Sequence, residues 1–111
     1  MALVNVSKLQ NVIPEFIDSQ LMPSAPSEMK WILGGATFLI LQKADVMVNE
    51  YVPLGKKLGL VNENNQIDTQ LLRGFFNSAF NKSGRITKFG FTFDKNDGEA
   101  LVNIMERYRD D

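Results

Sequence analysis

The nine residues Arg85-Ile86-Thr87-Lys88-Phe89-Gly90-Phe91-Thr92-Phe93 decide the fold class. Phe89, Phe91 and Phe93 alternate with Lys88, Gly90 and Thr92, which puts three rings on one face of an extended strand. Nothing else in the chain carries so clear a period of two. Without this stretch the sequence reads as all-helical; with it, as α+β. A strand leaves no backbone group buried and unpaired, so it needs a partner. Three are open: a short strand over Ala2 to Val6, a fold-back at Lys88 to Gly90 that makes a small hairpin, or a second copy of the chain.

On either side the periodicity is helical. Asp94 to Asp97 supplies capping residues for a last helix with Ala100, Leu101, Ile104, Met105 and Tyr108 on its apolar side, after which Arg107 to Asp111 is expected to fray. Upstream, Asp68 reads as the N-cap of a helix from Thr69 to about Asn81. Ile67 and Leu72 are placed to form a hydrophobic staple, and Leu71, Leu72, Phe75, Phe76, Ala79 and Phe80 are expected to be buried. Asn62 to Gln66 is a polar turn. Leu54 to Val61 reads as a short helix closed by Gly59.

Farther out, the longest helix is expected from Glu28 to about Val52, capped by Ser27 and ended by Pro53. Its apolar residues surround the axis between Trp31 and Leu41, which predicts burial on every side, and Gly34-Gly35 there allows a neighbouring helix to come close. The first helix spans about Ser7 to Leu21, with Ser7 as N-cap and an apolar stripe of Leu9, Val12, Ile13, Phe16, Ile17 and Leu21. Pro14 either kinks it or restarts it as the first helical residue. Pro23 and Pro26 then impose an extended connection. The expectation is one domain over residues 1–111: helix-dominated α+β, four to five helices, one or two short strands toward the C-terminal half.

Composition narrows function mainly by exclusion. The 111 residues hold no cysteine and no histidine, which removes the thiol nucleophile, the usual general base and the commonest zinc ligands. The chain is therefore read as non-enzymatic, with no cofactor and no metal. Absence of cysteine fits a reducing compartment, hence a cytoplasmic location. Twelve basic against thirteen acidic residues give a net charge of −1 and no global field for nucleic acid or membrane. The Trp31 to Leu41 run is about half of the ~20 residues a membrane-spanning helix needs, and the N-terminus lacks a signal-peptide pattern.

Apparent motifs dissolve under their own chemical requirements. Ser27-Glu28-Met29-Lys30 matches the S-x-x-K of serine acyl transfer, but the partner elements S-D-N and K-T-G are missing. The oxygen-rich runs at Asn62 and Asp94 place Ile67 and Arg73, or Glu99 and Met105, where a calcium loop needs Gly and Glu. Gly55-Lys56-Lys57 lacks the upstream glycine and the following Ser/Thr of a phosphate loop. Arg73, Lys82, Arg85 and Lys88 cluster on the Thr69 helix and the strand, and a hairpin behind that helix would mimic a winged helix-turn-helix. A reading helix displays Arg, Asn or Gln to base edges; this one displays phenylalanines, so solvated surface charge is the simpler account.

The reading favoured by the residues is protein–protein interaction, with self-association as the leading form. It places the interface on Trp31, Gly35 and Phe38 of the long helix and on Phe89, Phe91 and Phe93. Burying one extra helix face of roughly 400 Å² contributes on the order of 10 kcal/mol before association costs, and leaving it in water invites aggregation. The order of three segments, Met29-Lys30-Trp31-Ile32-Leu33-Gly34-Gly35, Leu58 through Asp68, and Phe91-Thr92-Phe93-Asp94, resembles small phage and prophage proteins of Gram-positive gut bacteria. That resemblance implies a structural or assembly role, and a virion-associated location if the chain is phage-related. The alternative from another class is a winged-helix-like nucleic-acid-binding regulator using the four basic residues.

Overall fold

The computed structural model describes residues 2–25, 27–28, 30, 52–83, 86–88 and 91–110; of residues 24, 81–83, 86–88 and 91–93 it describes the backbone alone. The proposed interface residues Trp31, Gly35, Phe38 and Phe89, the basic residue Arg85, and the long helix between 31 and 51 lie outside the described residues.

The architecture is helix-dominated α+β, with two small antiparallel sheets. In chain order the elements are β1 (Leu3–Asn5), a 3₁₀ turn (Val6–Lys8), α1 (Leu9–Phe16) continued by a π-helical turn (Ile17–Leu21), a 3₁₀ turn (Met22–Ser24), β2 (Gln66–Asp68), α2 (Thr69–Ser83), β3 (Ile86–Lys88), β4 (Phe91–Phe93) and α3 (Lys95–Glu106). Residues 27–28, 30 and 52–57 are also helical.

The strand question resolves in favour of the fold-back. β3 pairs with β4 antiparallel, Ile86 opposite Phe93 and Lys88 opposite Phe91, so the decisive stretch is a hairpin rather than one continuous strand. The N-terminal strand also exists, but its partner is β2: Leu3 opposite Asp68, Val4 opposite Ile67, Asn5 opposite Gln66. β1 is thus one of the strands that the sequence leaves open, whereas β2 is not, since Gln66 reads there as turn and Asp68 as cap. Both descriptions of Asp68 hold. It ends β2, and its carboxylate accepts from the backbone N–H groups of Gln70 and Leu71, closing the start of α2.

The core lies where α1 and its π-turn meet β1, β2 and α3. Val4, Val6, Val12, Phe16, Ile17, Leu21, Ile67, Ile104 and Met105 are buried together, with Leu72 and Tyr108 packed at the edge. The α1 stripe therefore faces as its periodicity predicts. Its start does not: Lys8, with no side-chain capping bond, stands at the N-cap of α1, and the Asn5 side chain caps the preceding 3₁₀ turn by accepting from Ser7 N–H. Pro14 is inside α1, and the carbonyl that loses its partner belongs to Gln10, which is exposed. The Ser19 hydroxyl donates to the Glu15 carbonyl at 2.7 Å, competing for the acceptor a regular turn would use, and the next turn widens. Widening keeps Phe16, Ile17 and Leu21 all buried.

Pro53 is within the helical stretch 52–57; its expected role as the stop of the long helix from Glu28 rests on residues outside the described ones. That stretch closes at Gly59, as the sequence predicts; its φ of +76° is left-handed, and Leu60 N–H returns to Gly55 O and Gly59 N–H to Lys56 O, the paired bonds of a Schellman cap. Residues 27–28 and 30 are helical, so that turn opens at or before Ser27 rather than after it. The C-terminal residues 107–110 are tied down rather than frayed: Asp110 N–H donates to Leu3 O at 2.7 Å, and its carboxylate accepts from the Gln66 side chain.

Candidate functional site

α2 inherits its orientation from both ends of its first turn. Thr69 is fully buried, donates its backbone N–H to Ala2 O, and accepts at Oγ1 from Ala2 N–H. One turn on, Leu72 joins Ile67 at the core, as the staple predicts. The inner face of α2 then runs along α3. Phe80 is buried, its ring stacks on Phe76 at 6.0 Å, and Gly98 of α3 sits beneath both. A Cβ on Gly98 would come within 3.1 Å of Phe80, so this glycine is what allows the two helices to approach.

Arg73 fixes the flank. Its Nε donates to Glu99 at 3.1 Å, and its terminal nitrogen donates to Glu106 at 2.6 Å and Asn103 at 3.0 Å. Glu99, Asn103 and Glu106 are spaced i, i+4, i+7, one face of α3. The hydrogen bonds it donates to Glu106 first and Glu99 second hold the guanidinium pKa above its ordinary value. Of the four basic residues grouped in the sequence, Arg73 is thus engaged by two carboxylates, Lys82 and Lys88 are described in backbone only, and Arg85 is outside the description.

Among the residues with described side chains, the outward face of α2 carries Gln70, Leu71, Gly74, Phe75 and Ser78, all exposed and none charged; Lys82 lies on the same face, described in backbone only. Leu71 is 54% exposed and Phe75 44%, against the expectation that both are buried. The helical wheel explains the difference. At ~100° per residue, Leu71 and Phe75 sit at 0° and 40°, whereas Leu72, Phe76, Ala79 and Phe80 run from about 80° to 180°. One helix neighbour covers the second arc and leaves the first in water. The signal was present in the sequence as an apolar arc too wide for a single contact. Phe75 meets Phe76 edge-on at 6.1 Å, so the ring series runs outward from Phe80 to the surface. Among the described residues, an added Cβ at Gly74 meets nothing within 4 Å.

No family model, curated protein or solved structure matches the chain. The site therefore stands on its own geometry. A second, smaller apolar pair, Leu54 and Leu58, is exposed at 52% and 54% on and just after the stretch 52–57. Among the described residues there is no group of three or more His, Cys, Asp or Glu positioned to hold a metal ion, and no helix long and apolar enough to cross a membrane. Glu15 is engaged by Arg107 and by the Tyr108 hydroxyl. Of the phenylalanines proposed as interface, Phe91 and Phe93 occupy β4, with their backbones paired inside the chain.

Proposed function

We propose that this is a non-enzymatic protein-interaction domain that works by contact between its α2 outward face and another protein chain. The carrying observation is the half-exposed pair Leu71 and Phe75, one turn apart, on a helix face whose described side chains carry no charge. Water-exposed leucine and phenylalanine on such a face are costly unless covered, and aromatic anchors are enriched where proteins meet. The missing cysteine and histidine support a role without catalysis. A structural or assembly role of the kind found among the phage proteins that the sequence resembles fits the same face. A cysteine-free chain suits the cytoplasm, or a virion if it belongs with those proteins.

The test is a photo-crosslinker, p-benzoylphenylalanine, introduced at position 75 in cells making the chain, with the exposed position 8 as control. A discrete protein adduct from position 75 that position 8 does not give is expected. No adduct, or the same adducts from both positions, overturns the reading.

One observation favours a nucleic-acid regulator: the hairpin β3–β4 follows α2 directly, as a wing would. Against it, Arg73 is occupied by Glu99 and Glu106, and the outward side chains described on α2 are uncharged. A gel shift at low salt decides this alternative, because phosphate-driven binding is strongest there; no shift removes it.

A further inference from the structure

Of the eight glycines in the chain, Gly98 alone follows an aspartate, and none follows an asparagine. Each member of this pair has its own structural reason. Asp97 is the third residue of α3: its Oδ2 accepts from Asp94 N–H at 3.0 Å, while Asp94 Oδ1 accepts from Asp97 N–H at 3.1 Å, the reciprocal bonds of a capping box. Gly98 is buried, and a Cβ there would stand 3.1 Å from Phe80 and 3.4 Å from Phe76, so the packing of α2 excludes a side chain. Together they make Asp-Gly, the dipeptide whose side-chain carboxyl is most readily attacked by the next backbone nitrogen, because glycine puts no Cβ in the way and leaves the chain free to turn.

That attack has three requirements, and the fold opposes each. The Gly98 nitrogen must be free, and here its N–H donates to the Asp94 carbonyl at 3.2 Å. The Asp97 carboxyl must swing toward that nitrogen, and here both oxygens are held, Oδ2 by Asp94 N–H and Oδ1 by Gln20 Nε2 at 2.9 Å. The backbone at Asp97 must leave the helical conformation, and here it is inside α3. Gln20 is the long-range member of this set, reaching across from the π-helical turn Ile17–Leu21.

We propose that Asp97–Gly98 is a latent site of aspartate isomerisation that the Gln20 and Asp94 contacts keep closed, so that the chain is modified there when the start of α3 opens. The Gly98 nitrogen bonds to Asp97 Cγ, the Cγ–OH bond of the carboxylic acid breaks, and the hydroxyl leaves as water with the amide proton. The product is a cyclic succinimide. Water reopens it: addition at Cγ breaks the new bond and restores aspartate, while addition at the main-chain carbonyl carbon breaks the original peptide bond and leaves isoaspartate. The isomer carries an extra methylene in its backbone and its free carboxylate on Cα. The capping box then cannot re-form, and Gly98 no longer falls beneath Phe76 and Phe80.

The test incubates the purified full chain in warm buffer with and without urea and counts isoaspartate at position 97 by peptide mapping with mass spectrometry. Accumulation is expected to be slower in the folded chain by more than about tenfold, because the reaction waits on opening. Gln20→Leu removes the donor to Oδ1 and is expected to raise the folded-state rate several-fold. Thr69→Val, which weakens the fold at the end of α2 far from Phe80, is the control and is expected to leave that rate close to the parent's. Circular dichroism establishes that both variants are folded, and the comparison of the parent chain with and without urea stands even where a variant is not. Equal rates with and without urea, no rise in folded Gln20→Leu, or an equal rise in Thr69→Val overturns the proposal.

Discussion

Two glycines on facing helices show how one side chain reports its surroundings. At Gly74 an added methyl meets nothing within 4 Å, so Gly74→Ala gains helix propensity without a clash. It is expected to raise monomer stability by about 0.5–1 kcal/mol, read as a higher urea midpoint at unchanged slope. At Gly98 the same position is 3.1 Å from the Phe80 ring and 3.4 Å from Phe76. Gly98→Leu therefore forces α2 and α3 apart and is expected to cost about 1–3 kcal/mol in the same measurement. An unchanged midpoint for Gly98→Leu would mean the helices are not packed as described. Thr69 is the third diagnostic residue. It is fully buried, and its hydroxyl is the acceptor for Ala2 N–H. Thr69→Val keeps the shape and orphans that donor, at an expected cost of about 1–3 kcal/mol by chemical denaturation; Thr69→Ser, which keeps the oxygen, is expected to cost less.

Between elements, the fork from Arg73 to three acceptors on α3 is the polar counterpart of the Phe80–Gly98 contact. The arginine side chain is 24% exposed and the two carboxylates 39% and 34%, so solvent screens the pairs and their joint contribution is about 1 kcal/mol rather than several. Arg73→Lys is expected to lose most of it, because an ammonium presents a point charge where this site uses three separately directed N–H bonds. Equal midpoints for Arg73→Lys and the parent chain would contradict that account. The elements also differ in how far the sequence announces them. Asp68 and Asp94 act locally, through N–H groups two or three residues on, so both caps could be read directly; the Asp94–Asp97 capping box is present. Sheet β1–β2 could not. It joins Leu3 to Asp68 through three-residue strands, too short to show a period, and only tertiary proximity creates it. The hairpin β3–β4 lay among the readings that the sequence left open, because pairing within the chain and pairing with a neighbour require the same alternation. The outward α2 face was half legible. Its residues were recognised as apolar, but their exposure depends on how many neighbours the helix has, which wheel position alone does not state.

At the scale of the whole molecule, the two ends of the described chain stabilise each other. β1 is bound on one side by β2, and Asp110 N–H donates to Leu3 O. Arg107 and the Tyr108 hydroxyl both engage Glu15 on α1, while the Tyr108 ring packs against the core. Gln66 of β2 also donates to the Asp110 carboxylate at 2.8 Å, so the same short tail contacts β1, β2 and α1 together. Removing residues 107–111 therefore deletes four backbone bonds, one of them to β1, four side-chain bonds and the packing of the Tyr108 ring at the edge of the core. At about 0.5–1.5 kcal/mol per net hydrogen bond, plus the lost ring burial, the expected loss is about 3–5 kcal/mol, a large share of the stability of a domain this size. Denaturant unfolding of the truncated chain against the full one measures it, and a loss under 1 kcal/mol would show that the tail is only laid on the surface.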